Sequence, residues 1–232
     1  MKREQWDLSL TEKKKRRKNS MCFVNEEKVR VENVEVAGFA TAFRGMRNPK
    51  DSWDKADSDF ANGVIFIGKN DMDLAQRLIK AGGEHRKFLR QIYVGFDVVL
   101  PRYLWSEFDT YGFQPKNSCS TMHKLFRKER CIREDQFIYH PYDEEALQDT
   151  IRQLNVLRAL YFNKATKDKN EMLRRAKALL PEGFLQRRTV ATNYEVLRNI
   201  YHQRKNHRLP CWTQVICPFI ASLPYAQELI IE

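Results

Sequence analysis

Between Phe88 and Val98, apolar side chains recur at alternate positions. Phe88, Ile92, Val94, Phe96 and Val98 fall on one side, with Arg90 the polar residue among them. Successive side chains of a strand point to opposite faces of a sheet, so a period of two suits a strand with one buried face and does not line one side of a helix. The pattern predicts a long strand over Phe88–Val99. Val29–Gly38 repeats it in shorter form through Val29, Val31, Val34 and Val36. Gly63–Gly68, with Val64-Ile65-Phe66-Ile67 at its centre, reads as a short buried strand.

Around these strands the spacing turns helical. Phe39–Met46 predicts a short helix stopped by Asn48-Pro49, with a polar loop over Lys50–Asn62. Asp71–Ala81 carries Leu74, Leu78 and Ile79 at helical intervals and ends at Gly82-Gly83. Pro101 suits the first turn of a helix that runs to Asp109. Tyr111–Ser120, with Gly112, Pro115 and Asn117, reads as a loop. Helices then dominate: Asp143–Phe162, Lys169–Leu180 ended by Pro181 and Gly183, Arg187–Arg204, and Cys211–Leu223 kinked at Pro218. Strands first and helices later describe an α+β (mixed α/β) fold, a small, mostly antiparallel sheet packed with helices and followed by a helical C-terminal half.

No Gly/Ser- or Pro-rich linker divides the 232 residues, and 42% hydrophobic content supports one core over residues 21–232. No apolar run approaches the roughly 20 residues a bilayer-spanning helix needs, and no apolar segment follows the basic N-terminus. A cytoplasmic protein is expected. The five cysteines, Cys22, Cys119, Cys131, Cys211 and Cys217, form no C-x-x-C pair. Their number is odd as well, which argues against a disulfide framework and a zinc site. Of the net charge of +11, Met1–Ser20 supplies +5 from eight Lys/Arg and three Asp/Glu. That segment reads as a solvated tail, with residues 2–18 as the one candidate for nonspecific nucleic-acid contact. The charge excess of the remaining residues suggests an anionic ligand or partner.

The stretch RRTVATNYEVLRNIYHQR, residues 187–204, reads as one amphipathic helix. Stepped at about 100° per residue, Val190, Tyr194, Val196, Leu197, Ile200 and Tyr201 cover an arc roughly 160° wide. Asn193 and Arg204 fall inside that arc. A buried arginine needs a partner. Either it pairs with an acid from another helix, while the asparagine caps a neighbouring loop, or the arc faces a cleft and the two residues hold a ligand. Arginine suits the second role because its planar fork binds phosphate or a developing oxyanion through two parallel bonds.

Leu180-Pro181, Asn193, Leu197, Asn199, Arg204 and Trp212 together match, without a gap, the C-terminal half of flavin-dependent thymidylate synthases, which this chain resembles. Pro101-Arg102-Tyr103-Leu104-Trp105 and Asn117-Ser118-Cys119-Ser120-Thr121-Met122-His123 stand where that family carries an Arg-His-Arg cluster followed by Asn-Glu-x-Ser-x-Arg. Glu84-His85 is similar to the acidic-His pair ahead of the family's central strand. The departures are specific. Ser106-Glu107-Phe108 replaces Arg-His-Arg, Ser118 and Met122 replace the Glu and the last Arg, Glu195 replaces an arginine, and Lys177 stands for another.

The resemblance implies a homotetramer with active sites between subunits and a thymidylate synthase-complementing-protein-like fold. It implies FAD as cofactor, NADPH and methylenetetrahydrofolate as co-substrates, and conversion of dUMP to dTMP. Arg204 is implied as the residue that contacts the uracil ring and stabilises charge on it. Asn193, Asn199, His85 and Glu107 are implied at the cofactor, and Arg102, Ser118, Ser120 and Lys177 with Arg204 at the nucleotide. A pyrimidine accepting a one-carbon unit passes through an enolate-like anion, which a fixed guanidinium in a dry site stabilises. The flavin supplies the redox step, so no catalytic triad is required. The rewritten Arg-His-Arg place keeps two alternatives open: a non-catalytic nucleotide- or flavin-binding descendant, or a relative acting on another pyrimidine nucleotide.

Overall fold

The computed structural model describes residues 23–232, so Cys22 and the basic segment over residues 1–20 lie outside it. Four strands, β1 (Arg30–Ala37), β2 (Tyr93–Pro101), β3 (Lys116–Ser118) and β4 (Leu185–Asn193), form one antiparallel sheet in the order β1-β2-β4-β3. The central strand β2 obeys the period-two rule: Val94, Phe96, Val98 and Leu100 are buried on the inner face. Its outer face carries Asp97, which accepts from Thr189 of β4, from Arg187 Nη2 at 2.7 Å and from Asn33 Nδ2 at 2.8 Å. These bonds, Thr189 first, hold the Asp97 carboxyl down at about 2.

Helices α1 (Phe39–Arg47), α2 (Lys69–Lys80), α3 (Arg102–Phe108) and α7 (Tyr194–Arg204) contribute to the main core with the inner sheet face. Between β1 and α1, Gly38 sits at φ 95°, and a Cβ there would lie 2.1 Å from the Gln91 carbonyl oxygen. Glycine is the residue that tolerates both demands. A second cluster joins α5 (Glu144–Phe162) to α6 (Lys169–Leu179). Leu147, Ile151, Leu154 and Leu157 recur at helical spacing along α5 and meet Leu173 and Ala176 of α6, with Phe126, Ile132 and Phe137. The short α4 (Thr121–Lys124) and α8 (Cys217–Ala221) complete the helices.

The structure corrects several expectations. The strand expected over Phe88–Val99 begins at Tyr93, because Arg86–Gln91 is a 3-10 helix that buries the adjacent Phe88 and Leu89 together. Gly63–Gly68 is not a strand. It makes a single bridge, Phe66 with Asp59, and Val64 and Phe66 are more than half exposed. The Tyr225 hydroxyl, accepting from Ile67 N and donating to the Ile65 carbonyl, takes the place of a strand neighbour there. The loop expected over Tyr111–Ser120 contains β3. Cys211–Leu223 splits into a π-helical turn, Cys211–Ile216, and α8, with Pro218 in the first turn of α8, where its missing N–H is least costly.

The largest correction falls on residues 187–204. They are not one helix: β4 runs to Asn193 and α7 starts at Tyr194. Thr189, Val190 and Thr192 are β-branched; all three pair with β2, and Thr189 and Val190 also pair with β3. Asn193 is therefore not on the apolar arc of a helix. It is extended (φ −146°, ψ 169°), and its side chain caps α7 by accepting from Val196 N at 3.1 Å.

Candidate functional site

Helix α7 delivers Arg204 in its last turn, where a cation complements the carbonyl end of the helix. Helix α3 delivers Glu107, and Tyr111 follows just beyond its end. Arg204 Nη1 donates to Glu107 Oε2 at 3.0 Å, and Arg204 Nε donates to the Tyr111 hydroxyl at 2.8 Å. Glu107 Oε2 also accepts from Trp212 Nε1 at 2.9 Å, with His207 Nε2 at 3.6 Å. The guanidinium carbon lies 4.9 Å from the centroid of the Trp212 ring, within cation–π range. Phe108 stacks on Trp212 from behind, 5.8 Å between centroids and 3° from parallel.

The result is an arginine fixed along one edge. Its side chain is 18% exposed, and Nη2 donates to no group among the described residues. A guanidinium set this way can offer its remaining N–H groups to an acceptor on a ring laid beside Trp212 and Tyr111. The pairing with an acid from another helix, one of the two readings of the sequence, is realised by Glu107.

The other expected residues are dispersed. Asn193 spends its Oδ1 on the α7 cap, while Asn199 is exposed and makes no side-chain bond among the described residues. His85 is exposed in the turn before Arg86–Gln91. Glu195, standing for an arginine, is buried and takes both oxygens to Arg86 Nε at 3.1 and 3.0 Å. Arg102 is committed to the Leu180 carbonyl at 3.0 Å and to Glu182 at 3.1 Å. Ser118 lies exposed on β3, and Ser120 caps α4 by accepting from His123 N at 3.3 Å. Lys177 reaches across to Met122, Nζ to Sδ 3.2 Å, which brings α6 against α4.

Of the expected site residues, the fold joins Arg204, implied at the nucleotide, to Glu107, implied at the cofactor. Tyr111 and His207 were not foreseen, since a loop tyrosine and a histidine past a helix end have no periodic signature. Trp212 is part of the core and a hydrogen-bond donor to the site at once.

No protein-family model matches the sequence, and no curated protein matches it. Solved structures do. Two crystal structures of the flavin-dependent thymidylate synthase ThyX from Helicobacter pylori, both with FAD and dUMP, superpose with TM-scores of 0.64 and 0.65. Each is 18% identical, over 87% of this chain and 97% of theirs.

The chain has the fold of flavin-dependent thymidylate synthases.

On the thymidylate synthase fold, the two parts of the sequence resemblance behave differently. Of the matched residues from Leu180 to Trp212, Asn193 caps α7, Leu197 is buried in it, and Arg204 and Trp212 meet at Glu107. Glu107, in the stretch Ser106-Glu107-Phe108, turns inward to Arg204.

Proposed function

We propose that this chain is a flavin-dependent thymidylate synthase-like methyltransferase. It methylates dUMP to dTMP with FAD bound and with NADPH and methylenetetrahydrofolate as co-substrates. The observation that carries the reading is Arg204: a half-buried guanidinium, held by Glu107 and Tyr111 against Trp212, with Nη2 uncommitted, in a fold whose solved examples hold FAD and dUMP. Arg204 stabilises negative charge on the pyrimidine ring, and Trp212 with Phe108 keeps water from one side of it. Glu107 orients Arg204.

Asn193, Asn199 and His85 are the residues that would hold the flavin. The Asn199 amide and Asn193 Nδ2 are uncommitted among the described residues, and His85 is exposed. When bound, FAD supplies the hydride that no side chain of this chain can supply. Lys177, Ser118 and Ser120, together with Arg102, form the nucleotide side of the proposal. In the proposed assembly residues 21–232 act as one unit in a cytoplasmic homotetramer, with sites between subunits. Residues 2–18, outside the described residues, are the sole candidate for nucleic-acid contact.

A second reading, a nucleotide- or flavin-binding descendant without turnover, is favoured by how fully the cations are used. Arg102 is tied to Glu182, Arg204 to Glu107 and Arg86 to Glu195. One experiment separates the two. The protein is loaded with FAD and given dUMP tritiated at C5, NADPH and methylenetetrahydrofolate. Tritium release that disappears in Arg204→Ala supports the enzyme. Nucleotide binding without release supports the descendant, and a protein that takes up neither FAD nor dUMP refutes both.

A further inference from the structure

The loop between α3 and β3 has its polarity inverted. Phe113 is 90% exposed and sits at φ 57°, a left-handed backbone that bulky residues rarely adopt. The next residue, Gln114, is only 8% exposed. Neither amide atom of Gln114 has a hydrogen-bond partner among the described residues, and the same holds for Oγ1 of Thr192, which is 5% exposed.

These atoms belong to one place in the sheet. Lys116 pairs with Val190, and Ala191 N donates to the Pro115 carbonyl at 3.0 Å, so the antiparallel register carries on to set Gln114 opposite Thr192. Thr192 shares the inner face with Val190, and alternation puts Gln114 on that face with Lys116. The loop starts at Tyr111, which holds Arg204 Nε, and Thr192 adjoins Asn193, the cap of α7. A leucine and a valine would fill the same space. Fully buried polar atoms without partners are rare in native folds, because each forfeits its hydration and gains nothing in return.

We propose that Gln114 and Thr192 form a recognition edge for a cyclic imide, the C(=O)–NH–C(=O) face common to uracil and to the isoalloxazine of a flavin. The inference rests on the functional reading above and adds two residues to it. The carboxamide is complementary to an imide: Oε1 accepts the ring N–H, Nε2 donates to a ring carbonyl, and Thr192 Oγ1 donates to a carbonyl. The loop that carries Gln114 also covers these atoms. A ligand reaches them when this loop lifts, and Gly112 within it stands in open space.

The test uses the full chain, Gln114→Leu and Thr192→Val, with three measurements on each: melting temperature without ligand, Kd for FAD by flavin fluorescence, and Kd for dUMP on the FAD-loaded protein. The expected result is melting as high as wild type or higher, since buried orphan atoms are removed, together with a Kd raised about tenfold for one ligand. Weakening of FAD alone identifies the flavin as the imide, and weakening of dUMP alone identifies uracil. Thr192→Val changes almost no volume, so it carries the test if Gln114→Leu fails to fold. Ligand affinities within about twofold of wild type in both variants overturn the proposal, as does a large loss of ligand-free stability in both. Wild-type protein that binds neither FAD nor dUMP removes the function and this inference together. Wild-type binding with indifferent variants removes only the inference.

Discussion

Glu107→Ala removes one oxygen that holds two donors. Trp212 is 0% exposed, and Glu107 Oε2 is the partner of its indole N–H at 2.9 Å. A donor stranded where water cannot reach it costs about 1–3 kcal/mol. The ion pair contributes less. The Arg204 and Glu107 side chains are 18% and 31% exposed, so solvent screens the pair and its loss adds about 1 kcal/mol at most. The sum is about 1–4 kcal/mol, which for a chain of this length lowers the melting temperature by roughly 2–16 °C. Glu107→Gln keeps an acceptor for the indole and loses the charge, so its drop stays within about 4 °C. Thermal unfolding followed by tryptophan fluorescence and by circular dichroism, without ligand, reads both variants. Glu107→Ala melting within about 1 °C of wild type, or Glu107→Gln melting below Glu107→Ala, would refute the claim that this carboxylate organises the site.

Asn193→Ala should cost about 1 kcal/mol by urea unfolding, because it strips the cap from α7, while Asn193→Asp should retain most of that stability. Asp97 titrates near 2 in the folded chain against an ordinary 3.8. A depressed carboxylate contributes stability above the unfolded value and loses it as pH falls through the folded one. The stability gap between wild type and Asp97→Asn should therefore close between pH 4 and 2, which acid unfolding curves of the two proteins can show. Asp71→Ala leaves Arg47, 3% exposed, without its carboxylate at 2.6 Å. Breaking a buried pair from one side costs about 3–5 kcal/mol, measurable as a fall in the urea midpoint. Lys177 has no carboxylate partner among the described residues, only the Met122 sulfur. Lys177→Ala should raise the Kd of dUMP about tenfold and leave that of deoxyuridine unchanged, which locates the phosphate at α6.

Much of the fold could be read from one-dimensional periods, and the failures have a common cause. The inner face of β2 and the stripe of α5 each depend on apolar residues repeating within one element, and the stop of α2 on Gly82-Gly83 beside it. β4 does not advertise itself that way. Its inward positions include Gln186 and Arg188 beside Val190 and Thr192, and Arg188 is accommodated by lying 4.1 Å from the centroid of the Trp105 ring and bonding Asp109. With polar residues on both faces, the strand lacked its alternation, and a helical wheel drawn through β4 and α7 merged two periods into one arc. Asn193, assigned to the oily face by that wheel, marks the junction instead. Arg204 stood out through its spacing from Asn193 and Leu197 and its need for a partner, and Glu107 as that partner is seen only once α3 and α7 are packed together. Tyr111 and Gln114 were not legible, since loop residues acquire a role only when the sheet register places them.

The pairing of Arg204 with Glu107 also constrains what kind of ligand belongs beside it. An arginine whose charge is already compensated gains little from a second full anion, whose desolvation it would have to offset again. It retains directed N–H groups, which favour a neutral carbonyl oxygen that becomes negative only as a reaction proceeds. A phosphate, by contrast, needs a cation without an acid partner, and Lys177 meets that requirement where Arg102 and Arg86 do not. In the proposed enzyme the Glu107 pairing leaves Arg204 for a ring carbonyl and Lys177, on the α4–α6 side, for the phosphate, a division that the Lys177→Ala measurement tests.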